Sequence, residues 1–162
     1  MSKAQRSAGA LLVRVRDGVP EVLLAHPGGP FYAKKDEGAW SVPKGLVEEG
    51  EDPLAAARRE LGEELGVVPP EGPWIALGEI TQKSGKRVIA FAARGDFDVS
   101  RMVSNEVEME WPRGSGRTIR FPEMDRAEWM PREVALRKVL EAQRPLIERA
   151  LSEQTLAALG VG

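Results

Sequence analysis

Residues 7 to 26 read SAGALLVRVRDGVPEVLLAH, two apolar runs that meet at Asp17-Gly18. Aliphatic runs flanking an Asp-Gly dipeptide predict two strands joined by a hairpin, because the turn needs residues that accept positive φ. WIALGEITQKSGKRVIAFAARGDFD predicts a second strand pair in the same way, turning at Ser84-Gly85-Lys86. Between the pairs the period changes. LAAARREL is built mostly from strong helix formers, and Asp52-Pro53 offers a cap and a first-turn proline. Gly66 stands where a left-handed terminator is wanted. These signals predict a helix from Pro53 to Leu65, with Leu54, Leu61 and Leu65 on one apolar stripe.

The remaining pattern is less regular. PGGPFYAKKDEGAW is a Gly- and Pro-rich loop leading to a short strand near Trp40-Ser41-Val42. RMVSNEVEMEWPRGSGRT reads as an extended segment followed by a basic, glycine-containing loop. AEWM is a short strand candidate, and Pro131 opens a helix through REVALRKVLEA. A last helix spans about 144 to 159, with Leu146, Ile147, Ala150, Leu151 and Leu156 at helical spacing. That stripe suits either the core or a second copy of the chain, so a homodimer stays among the expectations. Strands mixed with few helices, and no linker, predict one compact α/β or α+β domain over residues 1–162.

Composition narrows the chemistry. The chain has 162 residues, 42% hydrophobic and 30% charged, with a formal net charge of -2. That balance makes no general case for a nucleic-acid polymer or a membrane surface as partner. No cysteine is present, and His26 is the one histidine, which excludes thiolate sites, cysteine nucleophiles and zinc bound by several imidazoles. No apolar run reaches the roughly 20 residues of a membrane helix. MSKAQRSAG lacks the apolar stretch of a leader, so a cytoplasmic location is expected.

The acidic helix is the one conspicuous anomaly. RELGEELG places Glu60, Glu63 and Glu64 side by side, although like charges at helical spacing repel by a few tenths of a kcal/mol per pair. Five residues separate Gly45 from Glu51, and seven more residues lead to Arg59-Glu60-Leu61, then Glu63-Glu64 and Gly66-Val67. A chance match at all these positions is on the order of 10⁻⁹ per starting point.

GLVEEGEDPLAAARRELGEELGV resembles the Nudix box without departure. The resemblance implies the Nudix fold, a mixed β-sheet sandwiched between α-helices. It also implies hydrolysis, dependent on Mg²⁺ or Mn²⁺, of a nucleoside diphosphate linked to another group. By position in the motif, Glu60, Glu63 and Glu64 are the expected catalytic metal ligands, and Gly45 gives a backbone carbonyl to the metal. Glu51 and Arg59 are expected to support the site as an ion pair. Hard cations take oxygen ligands, and a cation among the three carboxylates offsets their repulsion.

The family often adds a glutamate from far along the chain, and PEMDRAEWM makes Glu123 the first candidate. Glu106, Glu108 and Glu110 compete, but NEVEMEW alternates like an edge strand with one wet face. Lys44, beside Gly45, is placed to meet a phosphate. Lys34, Lys35, Arg113, Arg117 and Arg120 would extend a basic rim. Tyr32 and Trp40, with Phe31, are candidates for stacking on a base. His26 reads as a structural, hydrogen-bonded histidine, and Trp74, Trp111 and Trp129 as core or core-edge residues.

WSVPKG is similar to the segment in Nudix hydrolases acting on diadenosine polyphosphates, yet TQKSG stands where those enzymes tend to carry a tyrosine. The order of expected small-molecule substrates is dinucleoside polyphosphates, nucleoside triphosphates, then nucleotide sugars. The alternative is a module of this fold that senses a nucleotide without turning it over. The intact glutamates speak against it.

Overall fold

The computed structural model describes residues 6–161. The opening MSKAQ, part of the stretch read above for a leader, lies outside them. Strands β1 (Arg6–Arg16) and β2 (Val19–Pro27) form the expected hairpin, with Asp17 and Gly18 at φ 52° and 79°. β4 (Trp74–Thr81) and β5 (Arg87–Arg94) form the second antiparallel pair. β1 also pairs with β5 in parallel, which makes the sheet mixed. The order is β4-β5-β1-β2-β8, with β3 (Lys44–Leu46) paired to the start of β1 and β8 (Met124–Pro131) closing the edge.

Helix α1 runs Pro53–Leu65, with Asp52 capping the Ala55 N–H and Gly66 left-handed at φ 73°. It packs on one face of the sheet through Ala57, Leu61 and Leu65, against Ala8, Ala10 and Leu12. The opposite face carries Leu11, Val13 and Val88 beneath α2 (Arg132–Lys138), α3 (Arg144–Ala150) and α4 (Glu153–Leu159). Alternation along β1 therefore feeds two separate cores. Among the described residues, no helix is long and apolar enough to cross a membrane.

Several local expectations change. Trp40 and Ser41 make only isolated bridges, and the strand forms three residues later at Lys44. The AEWM strand starts earlier, at Met124, because it pairs along most of β2. The extended segment becomes β6 (Glu106–Glu110), which turns back as β7 (Thr118–Pro122) in a separate two-stranded sheet. Pro131 ends β8 rather than opening the helix, and α2 stops at Lys138 because Val139 bridges to Trp40. The last helix is broken: Ser152 caps Thr155 and starts α4 afresh. Leu146, Ile147 and Ala150 are fully buried in the core, so that stripe is not a free face for a second copy.

Candidate active site

Gly45 and Glu60 define where the sheet meets the acidic helix. Ala8 faces α1, and its cross-strand partner is Gly45. A Cβ on Gly45 would lie 2.0 Å from Glu60 Cδ. A side chain at this position would displace the Glu60 carboxylate. Gly45 thus stands within β3.

The three box glutamates have three different environments. Glu63 is exposed; Glu60 is half-buried; Glu64 is 2% exposed, on the border of the apolar stripe. Glu64 Oε2 accepts the Lys44 backbone N–H at 3.0 Å. Burial, then the Glu123 charge, push the Glu64 carboxyl up to about 8. Burial, then Glu63, also raise Glu60. These are carboxylates held where negative charge is penalised, the condition that a cation relieves.

Arg59 collects its neighbours. Its Nε and Nη2 donate to the two oxygens of Glu51 at 2.9 and 3.0 Å, and Nη1 donates to Glu60 and Glu63 at 2.9 and 3.0 Å. Nη2 also donates to the Leu46 carbonyl at 3.0 Å. The forked pair ties the loop before α1 to the helix, and Arg59 holds the Glu51 carboxyl down at about 2. Among the described residues, no group of three or more acidic or histidine side chains is drawn together as a ready metal cage. The physical reason is visible: the Arg59 guanidinium engages Glu60 and Glu63, and Glu64 is turned to Lys44.

Glu123 reaches this place from the far end of the chain. It sits between β7 and β8, and its charge raises Glu64 and Glu60 and acts on Lys44. Its N–H donates to the Asn105 carbonyl at 2.7 Å, and its carbonyl accepts from the Gly28 N–H at 2.9 Å. Asn105 and Val103 in turn donate to the Glu63 and Leu65 carbonyls, at 3.3 and 3.1 Å, at the end of α1. The competitors lie elsewhere: Glu106 pairs with Arg120 at 3.6 Å, Glu110 accepts the Gly116 N–H, and Glu108 is exposed on the same hairpin.

The Trp40 expectation fails. Trp40 is 0% exposed in the core, with its indole N–H on Asp36 at 2.8 Å, so no ring face is open to a base. Tyr32 is 37% exposed with Lys35 5.4 Å over its ring, and Phe31 is exposed against Trp111. Arg113 and Arg117 are exposed on the β6–β7 hairpin with Arg120, whereas Lys34 and Lys35 sit on the Tyr32 loop. His26 is buried between Asp125 (2.8 Å) and the Lys35 carbonyl (2.6 Å), a structural setting. Burial, then the Lys86 charge, hold Lys44 below the usual lysine range.

Sequence reasoning missed Gly28, Asn105 and Gln143. Gln143 is fully buried; its Oε1 accepts the Val42 N–H at 2.9 Å, and its Nε2 donates to Gln82 at 3.0 Å. A Gly-Gly pair in PGGP signals a loop but not which glycine touches another backbone. A glutamine in a helical run signals nothing about burial.

A mixed sheet between helices, with carboxylates folded against a glycine of its short strand, defines a Nudix-fold domain. The chain belongs to the Nudix family, whose NUDIX domain matches residues 3–150, and it is a Nudix hydrolase. It is 27% identical over 142 residues to an RNA pyrophosphohydrolase of Vibrio cholerae serotype O1, covering 82% of this chain and 80% of that one. Its fold is similar to the NUDIX domain of Shewanella oneidensis NrtR complexed with ADP ribose, at TM-score 0.61 and 20% identity, covering 93% and 88% of the two chains. A C. elegans Ap4A hydrolase has TM-score 0.58 and 21% identity, with 90% and 93% covered. Nudix hydrolases generally use divalent metal ions. The donors gathered here suit them: carboxylate oxygens, and a strand glycine that leaves Glu60 its room.

Proposed function

We propose that this Nudix hydrolase cleaves the pyrophosphate link of a nucleoside diphosphate derivative with Mg²⁺ or Mn²⁺. Glu60, Glu63 and Glu64, with the Gly45 carbonyl, would hold the cation. When bound, it neutralises phosphate charge and lowers the pKa of a coordinated water. Lys44 meets a substrate phosphate, Tyr32 flanks the base, and Glu123 takes the proton from the attacking water. Glu51 holds Arg59, which orients Glu60 and Glu63.

The observation that carries this reading is Glu64: nearly inaccessible, raised to about 8, and facing the Glu123 charge. A structural helix gains nothing from such a group, whereas a cation site needs it.

Dinucleoside polyphosphates rank first, then nucleoside triphosphates, then nucleotide sugars; the RNA pyrophosphohydrolase relative adds an RNA bearing a pyrophosphate link to the panel. The test is a product-resolved screen of these compounds with each metal. Cleavage of any of them at the anhydride, lost in Glu64→Gln, is the expected result. Folded protein that binds nucleotide tightly and yields no product would instead make it a nucleotide sensor.

A further inference from the structure

The sheet face turned away from α1 carries groups without a role so far. Alternation along β1 sends Ala8 and Ala10 toward α1, so Ser7 and Gly9 face the other way, with Leu11. On one flank Gly9 pairs with Lys44 and Ser7 with Leu46. On the other flank Ser7 pairs with Val88, buried on that same face, and Lys86 lies two residues before it. The Gln82 N–H donates to the Lys86 carbonyl at 2.8 Å, which carries the β4–β5 ladder on through this pair. The register therefore sets Ser7 diagonally between Lys44 and Lys86, all on one face.

Three observations point to an anion here. Ser7 Oγ is buried without a hydrogen-bond partner, which is unusual and destabilising for a hydroxyl. Lys138 is the one described lysine in an ion pair, so neither Lys44 nor Lys86 has a described carboxylate partner. Gln143 fixes the arrangement, since one amide holds both the Val42 N–H ahead of Lys44 and the Gln82 side chain of the turn that carries Lys86. Two cations and a free hydroxyl make a donor set that phosphate oxygens would complete.

We propose that Ser7, Lys44 and Lys86 form a second phosphate subsite, holding the far end of a chain of three or more phosphates. This rests on the reading above, in which the near end lies at the Glu60–Glu64 carboxylates, beside the Lys44 backbone. It selects nucleoside triphosphates and dinucleoside polyphosphates over nucleotide sugars, whose two phosphates end before the second lysine.

Calorimetry on the full chain in magnesium buffer, with inorganic tripolyphosphate and with pyrophosphate, tests it. Lys86→Met should weaken tripolyphosphate about tenfold and pyrophosphate less than about twofold, the selective loss of one charge-assisted contact. Ser7→Ala should weaken tripolyphosphate about threefold while leaving the melting temperature unchanged or higher, because it removes an unpaired hydroxyl. Equal weakening of both anions, or none in either variant, overturns the subsite. If the selective loss is seen but no nucleotide is cleaved by the unmodified protein, the subsite stands and the hydrolytic reading falls.

Discussion

The backbone N–H of Gly28 holds the carbonyl of Glu123, at 2.9 Å, across 95 residues of chain. With the Asn105 carbonyl on the Glu123 N–H, both peptide groups beside this side chain are clamped. A Cβ on Gly28 would stand 2.0 Å from the Pro122 carbonyl oxygen, so the approach depends on glycine. Gly28→Ala should therefore move Glu123 and lower kcat about tenfold, with KM little changed. In a Glu123→Gln background the same substitution should add almost nothing, the signature of two residues acting as a unit. Equal losses in both backgrounds would refute the coupling.

Gly45→Ala drives a methyl group into the Glu60 carboxylate. Manganese affinity, read by titration calorimetry, should fall at least about tenfold, as for losses of support around a metal. An unchanged affinity would mean that Glu60 is not a ligand.

Glu64 makes stability depend on pH. Burial raises its carboxyl to about 8 in the folded chain, against an ordinary value of 4.5. Between those values the folded state binds more protons than the unfolded one, so stability falls as pH rises and levels off above about 8. The melting temperature without metal should drop from about pH 5 to about pH 8, and Glu64→Gln should flatten that slope. Added magnesium should raise the melting temperature more at about pH 8 than at about pH 6, where protons compete for the same oxygens.

Glu64→Gln should also lower the turnover rate by at least about two orders of magnitude, the scale of losing one electrostatic contact to the transition state. Steady-state rates on whichever substrate the screen finds provide the comparison. Activity within a few-fold of the parent would return Glu64 to a structural role.

Gly62 lies inside α1, where a Cβ would meet only the Val67 carbonyl at an ordinary 3.6 Å. Nothing in the structure explains this glycine. Gly62→Ala should stabilise the protein by about 1 kcal/mol, from helix propensity. Chemical denaturation measures it, and a loss of stability would reveal a constraint that these contacts do not contain.

Helix α1, both hairpins and the box were legible in the sequence because each depends on neighbours in the chain. Asp52, Pro53 and Gly66 speak to their own helix, and Asp17-Gly18 to its own turn. What stayed hidden was set by distant partners. Trp40 looked like a loop aromatic until Asp36 and the core enclosed it. The helix over 144 to 159 is the exception, because its break is local: Ser152, a residue type suited to capping, starts α4 three residues before Thr155. A motif resemblance made Glu123 a candidate, but its clamp was not legible, since two of its bonds involve only peptide groups, which a sequence does not distinguish.

The β6–β7 hairpin has two unequal ends. At its root, Asn105 is fastened to α1 and to Glu123, whereas residues 112–118 at its tip are all exposed. Closure entropy grows slowly with loop length, so the tip tolerates insertion while the root does not. A descendant protein can thus acquire a longer arm at the outer end, with the Asn105 bonds to α1 and Glu123 undisturbed at the inner one.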